Sequence, residues 1–235
     1  MKRKVLITRS QPGADVMAAV LKEAGYLPRI SSVLQIKAIS AFVSRRELKK
    51  YSAFIFVSGP AVRFAAGIIS SLKKFSKPVI YAIGPETKRQ LARAGLRSIH
   101  PERADSENLL ALAGLKDVNG KRILIVCGRG GRETLQQQLQ DRGAGVSRAE
   151  VYQRLPAQVT LQNTDEIDAV IISSGEGLRV FLELATDLPG RVPILLPSMR
   201  VAEQAGAAGV KDIIVCEGAS SEAVLNKLDA LYSSA

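Results

Sequence analysis

The sequence predicts an α/β protein made of two similar parallel-sheet lobes joined by a two-stranded β linker, with the first lobe discontinuous. Three observations lead there. Apolar runs of four to six residues alternate with helix-length amphipathic stretches, the pattern of parallel βα units. Segments from the two halves of the chain resemble one another at a nearly constant spacing. One copy of the repeated set is split between the two ends of the chain.

The strands follow in order. Val5–Thr8 opens the chain and feeds a helix over Gly13 to Ala24, with Val16, Val20 and Leu21 on one face. Further strands are expected at Phe54–Ser58, Val79–Ile83, Ile123–Cys127, Ala169–Ser173, Ile194–Leu196 and Ile213–Cys216, most of them followed by a helix. Two other segments, "SSVLQIKAI" (Ser31 to Ile39) and "RAEVYQRLP" (Arg148 to Pro156), are extended and β-prone.

Self-comparison orders these pieces. "SGPAVRFAAG" from Ser58 resembles "SGEGLRVFLE" from Ser174, a shift of 116. "TKRQLARAGL" ending at Leu96 resembles "VAEQAGAAGV" ending at Val210, a shift of 114, and Ser106-Glu107 matches Ser221-Glu222, a shift of 115. "LIVCGRGGRETLQQQLQDRGAGV" from Leu124 instead matches a segment 118 residues earlier, "LITRSQPGADVMAAVLKEAGYLP" from Leu6. The chain therefore begins one lobe, leaves it, builds the second whole, and returns. The expected bounds are 1–34 with 155–235 for the first Rossmann-like lobe and 38–150 for the second. The linker strands lie near 33–39 and 148–155, where the two β-prone segments can pair as a hinge. Two lobes on a double hinge imply a cleft, a common place for a ligand.

Composition narrows the function. With 235 residues, 46% of them hydrophobic, the chain can bury a sizeable core, as one large domain or two small ones. No apolar run approaches the roughly 18 to 20 residues that span a bilayer, and Val5-Leu6-Ile7 is too short for a signal-peptide core. Cys127 and Cys216 each end an apolar run and read as small core residues, which fits a reduced cytoplasm. The net charge of +11 suits nucleic acid, an anionic surface or a polyanionic small substrate. Against nucleic acid, aromatics are 5% with no Trp, no basic run reaches five residues, and zinc-finger spacings are missing.

The glycine turn "LIVCGRGGRETL" (Leu124 to Leu135) follows a strand, as phosphate loops do, but it fails both nucleotide fingerprints. Glu133 stands where the dinucleotide motif needs its third glycine, and Gly131-Arg132-Glu133 is not Gly-Lys-Ser/Thr. What remains is a tight turn that presents N–H groups at a following helix N-terminus. The same logic applies to Ser58-Gly59, Gly84-Pro85-Glu86-Thr87, Ser173-Ser174-Gly175, Pro197-Ser198 and Ser220-Ser221, each at a strand's carboxyl end or a helix start. Ligands of open α/β sheets gather on that edge, although each turn taken alone also reads as an ordinary cap. His100, the only histidine, lies beside Pro101 away from any serine turn, so no nucleophile–base pair is expected. One histidine and two separated cysteines give no soft-metal site, and scattered carboxylates give no hard-metal site.

At this point the chain resembles uroporphyrinogen-III synthase, the cosynthase family of tetrapyrrole biosynthesis. The strongest segment is "GKRILIVCGRGGRETLQQQLQDRGAGVSRAEVYQR" (Gly120 to Arg154), with its Gly-x-Gly-Gly-Arg-Glu turn and closing Val-Tyr-x-Arg. "VLITRS", "FVSGPAV", "AIGPETKRQLARAGL", "DSENLL" and "IISSGEGLRVF" support it. The chain departs from the family pattern at Cys127, where Arg is frequent, and at Ser10, where Pro is usual. "LLPSMRVAEQ" also lacks an Ile-Gly-x-x-Thr.

The resemblance implies two α/β lobes on a two-stranded linker and a cofactor-independent lyase. Its substrate would be the polycarboxylate hydroxymethylbilane, which is dehydrated and cyclised with ring D inverted through a spiro intermediate. Tyr152, matching the tyrosine of Val-Tyr-x-Arg, is the catalytic candidate, on the return linker and facing the cleft. The substrate-binding candidates are Thr8, Arg9, Ser58, Gly84, Thr87, Ser106, Gly128, Gly130, Arg132, Ser173, Ser174, Ser198 and Ser220. A cytoplasmic monomer is expected, open to transient contact with the preceding pathway enzyme, and the residues themselves give no metal, nucleic-acid or membrane partner. A non-catalytic, two-lobed small-anion binder or regulatory relative is the alternative.

Overall fold

A computed structural model describes residues 2–40, 43–131, 133–159, 161, 164–185 and 190–233. The chain divides into two compact units, one of residues 1–35 with 155–235 and one of residues 36–154.

In chain order the elements are β1 (Lys4–Ile7), α1 (Gly13–Glu23), β2 (Leu27–Ile30), β3 (Leu34–Ala38), α2 (Arg45–Leu48), β4 (Ala53–Phe56), α3 (Gly59–Phe64), α4 (Ala66–Leu72), β5 (Ile80–Ala82), α5 (Pro85–Arg93), α6 (Ser106–Leu110), α7 (Ala113–Lys116), β6 (Arg122–Gly128), α8 (Thr134–Asp141), β7 (Gly145–Pro156), β8 (Ala169–Ile171), α9 (Gly175–Leu184), β9 (Ile194–Leu196), α10 (Met199–Ala207), β10 (Ile213–Val215) and α11 (Ser221–Tyr232).

The first unit's sheet runs β10-β9-β8-β1-β2 and the second unit's runs β3-β7-β6-β4-β5. Every pair from β10 to β2 and from β5 to β7 is parallel. Their strands are apolar on both faces because helices cover both. In β4, Phe54 and Phe56 enter one core while Ala53 and Ile55 enter the other. In β1, Leu6 faces one core while Val5 and Ile7 face the other.

The repeat holds residue for residue in the pairing. Lys4 pairs with Leu27, and 118 residues on, Arg122 pairs with Gly145. Val5 opposite Ala169 corresponds to Ile123 opposite Ala53, shifts of 118 and 116. Val170 opposite Ile194 corresponds to Phe54 opposite Ile80, shifts of 116 and 114. An isolated parallel bridge from Tyr81 to Ile99 stands where β10 extends the first sheet. Side chains repeat too: Gln90 stands against Gly59 in the second unit as Gln204 stands against Gly175 in the first.

The two β-prone segments are β3 and β7, neighbours in the second sheet. Ile39 N–H donates to Val151 O, and Ala157 N–H donates to Val33 O. Residue numbers fall on one strand as they rise on the other, so the pair is antiparallel.

One local expectation needs correction, and one strand lies outside the expected set. Val16 is 62% exposed; α1 buries Ala14, Met17 and Leu21, a 3–4 spacing one step around the helix. β2 lacks a sequence signal because it is an edge strand with two exposed ends and a Pro at its second position.

Candidate active site

The order of strands locates a crevice in each unit. In the second unit the chain winds from β4 outward to β5, then returns to β6 on the other side of β4 and continues to β7. Loops leaving the carboxyl ends of β4 and β6 therefore diverge, and ligands of doubly wound sheets bind at that reversal. In the first unit the corresponding neighbours are β8 and β1.

At the second unit's reversal, Ser58 follows β4 and caps α3, its Oγ accepting the Ala61 N–H at 3.1 Å. Gly128 is the last residue of β6. Pairing slips there, Cys127 facing Glu150 but Gly128 facing Tyr152, so Val151 is the extra residue of a β-bulge. Regular alternation would put Ala149 and Val151 on one face and Tyr152 on the other. The bulge brings all three into the same core. Tyr152 consequently lies over Gly128, where a Cβ would come within 2.5 Å of its ring.

The sequence places Tyr152 facing an open cleft, whereas its side chain is 2% exposed. Its ring centroid lies 6.1 Å from that of Phe64. The phenol oxygen is 3.1 Å from Ser58 Oγ and accepts from Arg154 Nη2 at 3.1 Å. The Arg154 guanidinium carbon sits 5.4 Å from the Tyr152 ring centre. A phenol, a hydroxyl and a guanidinium thus form one chain of hydrogen bonds. Arg129 and Arg148 flank it, Arg129 Nε on Glu150 at 3.2 Å and Arg148 Nη2 at 3.5 Å from Gly128 O.

The other second-unit candidates share this edge. Gly84 caps α5, and a side chain there would run into Ala104. Thr87, in the first turn of α5, is buried. Asp105, rather than Ser106, caps α6; the Asn108 backbone N–H, donated at 2.7 Å, holds its carboxyl below the usual range. Gly130 has a left-handed φ of 69°, and Arg132 lies outside the described residues. α8 does not start at the glycines but at Thr134, with Glu133 at the N-cap position making no side-chain cap bond, so the turn and the helix N-terminus are separate features. Burial pushes the Cys127 thiol up.

In the first unit, Thr8 follows β1, buried, its Oγ1 donating to Ile171 O at 2.9 Å. Arg9 Nη1 donates to Ala219 O at 2.8 Å, and burial lowers the proton affinity of its guanidinium. Ser173 Oγ is buried and finds no partner among the described residues. Ser174 caps α9 through the Gly177 N–H at 3.0 Å, and Ser220 caps α11 through the Ala223 N–H at 3.1 Å. Ser198 occupies the cap of α10 without a side-chain cap bond.

Every described candidate sits at the carboxyl edge of its own sheet or at a helix start beside it. That edge offers hydroxyls, arginines and the N-terminal dipole ends of helices such as α5, α9, α10 and α11, which suits an anionic ligand. Among the described residues no cluster of three or more His, Cys, Asp or Glu could hold a metal, and no helix is long and apolar enough to cross a membrane. Sequence reasoning gave Arg154, Gln90 and Gln204 no role. The i, i+2 spacing of Tyr152 and Arg154 on one strand, and the two glutamines aligned by the 114-residue shift, were the available signals.

Comparison with known proteins agrees with this architecture. Residues 15–226 match the family model described as uroporphyrinogen-III synthase HemD. The uroporphyrinogen-III synthase of Salmonella typhimurium is 30% identical over 246 residues, covering 95% of this chain and 99% of that protein. That of Proteus mirabilis is 33% identical over 159 residues, covering 64% and 80%. The crystal structure of uroporphyrinogen-III synthetase from Helicobacter pylori superposes with a TM-score of 0.71 at 17% identity, covering 97% of this chain and 99% of that one.

Proposed function

The chain belongs to the uroporphyrinogen-III synthase family, and on that premise we propose that it converts hydroxymethylbilane to uroporphyrinogen III as a cofactor-independent lyase. The observation that carries the reading is the Ser58–Tyr152–Arg154 chain at the strand reversal of the second unit, set on an edge otherwise built to hold anions.

The chemistry asks for little more. The bilane's terminal hydroxyl leaves as water and the resulting azafulvene cation attacks the substituted carbon of the far pyrrole. The spiro intermediate reopens and closes with ring D inverted. Because a bilane closes unaided to the uninverted isomer, the protein's main task is to hold one folded conformation. Acetate and propionate groups on every pyrrole match turns and helix starts that present N–H dipoles, supplemented by Arg9, Arg129 and Arg148. Tyr152, hydrogen-bonded to Ser58, is the proton source at this reversal for loss of the hydroxyl. The same reading makes the protein a cytoplasmic monomer that receives its labile substrate from the preceding enzyme.

The test is direct. Purified protein given hydroxymethylbilane should yield uroporphyrinogen III, identified by chromatography of the oxidised porphyrins; only the uninverted isomer, at the rate seen without protein, would refute the assignment.

A further inference from the structure

Tyr152 carries the phenol at the reversal, yet its ring is enclosed: 2% exposed, with Phe64 beside it and Gly128 beneath it. A substrate as large as a bilane does not reach that oxygen without displacing the core around it. Ser58, in contact with it, is only half-buried and stands on the turn after β4, at the carboxyl edge.

The hydrogen-bond directions at the three groups are constrained. Arg154 Nη2 has no acceptor capacity, so it donates to the phenol oxygen. Ser58 Oγ already accepts the Ala61 N–H. Ser58 has one proton and Tyr152 has one. If the phenol donates to Ser58, the serine's own proton is free to point outward, away from the core.

Resting on the synthase reading, we propose that Ser58 is the group that touches the substrate's departing hydroxyl, and that Tyr152 and Arg154 act through it. As the carbon–oxygen bond breaks, its electron pair leaves with oxygen, which takes the Ser58 proton and departs as water. Ser58 takes the Tyr152 proton in the same motion, so no free alkoxide forms. The phenolate left behind is held by Arg154, and the positive charge stays on the azafulvene. When the closed macrocycle sheds its surplus proton to restore the last pyrrole, that proton returns through Ser58 to Tyr152. Ser58 is then the catalytic residue, and Tyr152 and Arg154 are positioning residues that set its proton supply.

The experiment uses the full chain and hydroxymethylbilane, comparing parent, Ser58→Ala, Ser58→Gly, Ser58→Thr, Tyr152→Phe and Ser58→Ala with Tyr152→Phe. Ser58→Ala and Tyr152→Phe should each lower kcat by about 100-fold, the low end of general-acid contributions, with KM little changed. Combined, they should be no slower than the slower single variant, since either one breaks the same relay. Ser58→Thr, which keeps a hydroxyl, should recover most of the rate. Ser58→Gly separates the relay from the cap: glycine costs a helix only a few tenths of a kcal/mol, so it should melt like the parent yet turn over like Ser58→Ala. Full kcat in Ser58→Ala, or losses that multiply in the double variant, overturns the relay while leaving the synthase assignment standing. A parent protein that forms only the uninverted isomer overturns both.

Discussion

Replacing Gly128 by alanine tests the close approach on which the second unit's reversal depends. The new Cβ would stand 2.5 Å from Tyr152 Cζ, 2.6 Å from Cε2 and 2.9 Å from the phenol oxygen. Ordinary carbon contacts begin at about 3.5 Å, so the ring must retreat by about 1 Å. It has little room to do so, being enclosed by the core that Ala149, Val151 and Phe64 border. Overpacking of that kind costs about 1–3 kcal/mol, and at about 2–4 °C per kcal/mol for a chain of this size the melting temperature should fall by about 2–12 °C. The same shift stretches the 3.1 Å contacts to Ser58 and Arg154 beyond hydrogen-bond range. A displacement of about 1 Å at a reacting group can cost about 100-fold in rate. Calorimetry and the rate of uroporphyrinogen III formation read the two effects separately. In a Tyr152→Leu background the ring is gone and the added methyl should cost far less stability. A Gly128→Ala protein that melts and turns over like the parent would show that Tyr152 does not rest on the β6 backbone, and the site described above would be wrong.

Other expectations are simpler. Arg9→Ala removes a charged donor from Ala219 O; it should destabilise by about 1.5–3 kcal/mol and raise KM as the turn before α11 loosens, both visible in a melt and a steady-state titration. Arg9→Lys should recover only part, since an ammonium lacks the fork geometry. Cys127 and Cys216 are buried, with thiols pushed up by burial, so a chromogenic disulfide reagent should label neither until denaturant is added; rapid native labelling would contradict their core placement. Chelators and added nicotinamide or nucleotide cofactors should leave turnover unchanged, and reversible loss on chelation without loss of fold would overturn the cofactor-free reading.

Much of this fold was legible because a parallel sheet covered on both faces writes itself as short apolar runs. Phe54, Ile125 and Leu195 belong to such runs and are buried as their neighbours dictate. The split repeat was legible because its shifts are preserved in the strand pairing itself. β2 was not legible, since an edge strand carries no such run, and the face of α1 was misplaced because alanine and methionine, rather than valine, fill its core positions. The candidate site was legible as a set of turns but not as a constellation. That Ser58, Gly128, Tyr152 and Arg154 meet depends on a reversal of strand order and a bulge at Val151, both consequences of three-dimensional pairing that no local pattern encodes.

The repeat also supplies an internal control for the chemistry. Ser58 and Ser174 are equivalent positions, each capping a helix through the N–H three residues on, at 3.1 and 3.0 Å. The 118-residue shift carries Tyr152 to Leu34 and Gly128 to Ser10. In the first unit, then, the aligned position carries an apolar side chain, and the Ser10 hydroxyl donates to Leu34 O at 2.7 Å. The two serines therefore share a cap but, among the described residues, only Ser58 has a phenol in hydrogen-bond contact. Alanine at either position should remove a cap worth about 1 kcal/mol, so the two variants should melt alike. Their kinetics should differ: Ser174→Ala should act on KM, through a weakened anion contact, whereas Ser58→Ala should act on kcat. Steady-state rates with hydroxymethylbilane, measured on both variants at matched melting loss, decide the point. Equal falls in kcat would mean that capping alone matters at these turns, and that the asymmetry between Tyr152 and Leu34 carries no chemistry.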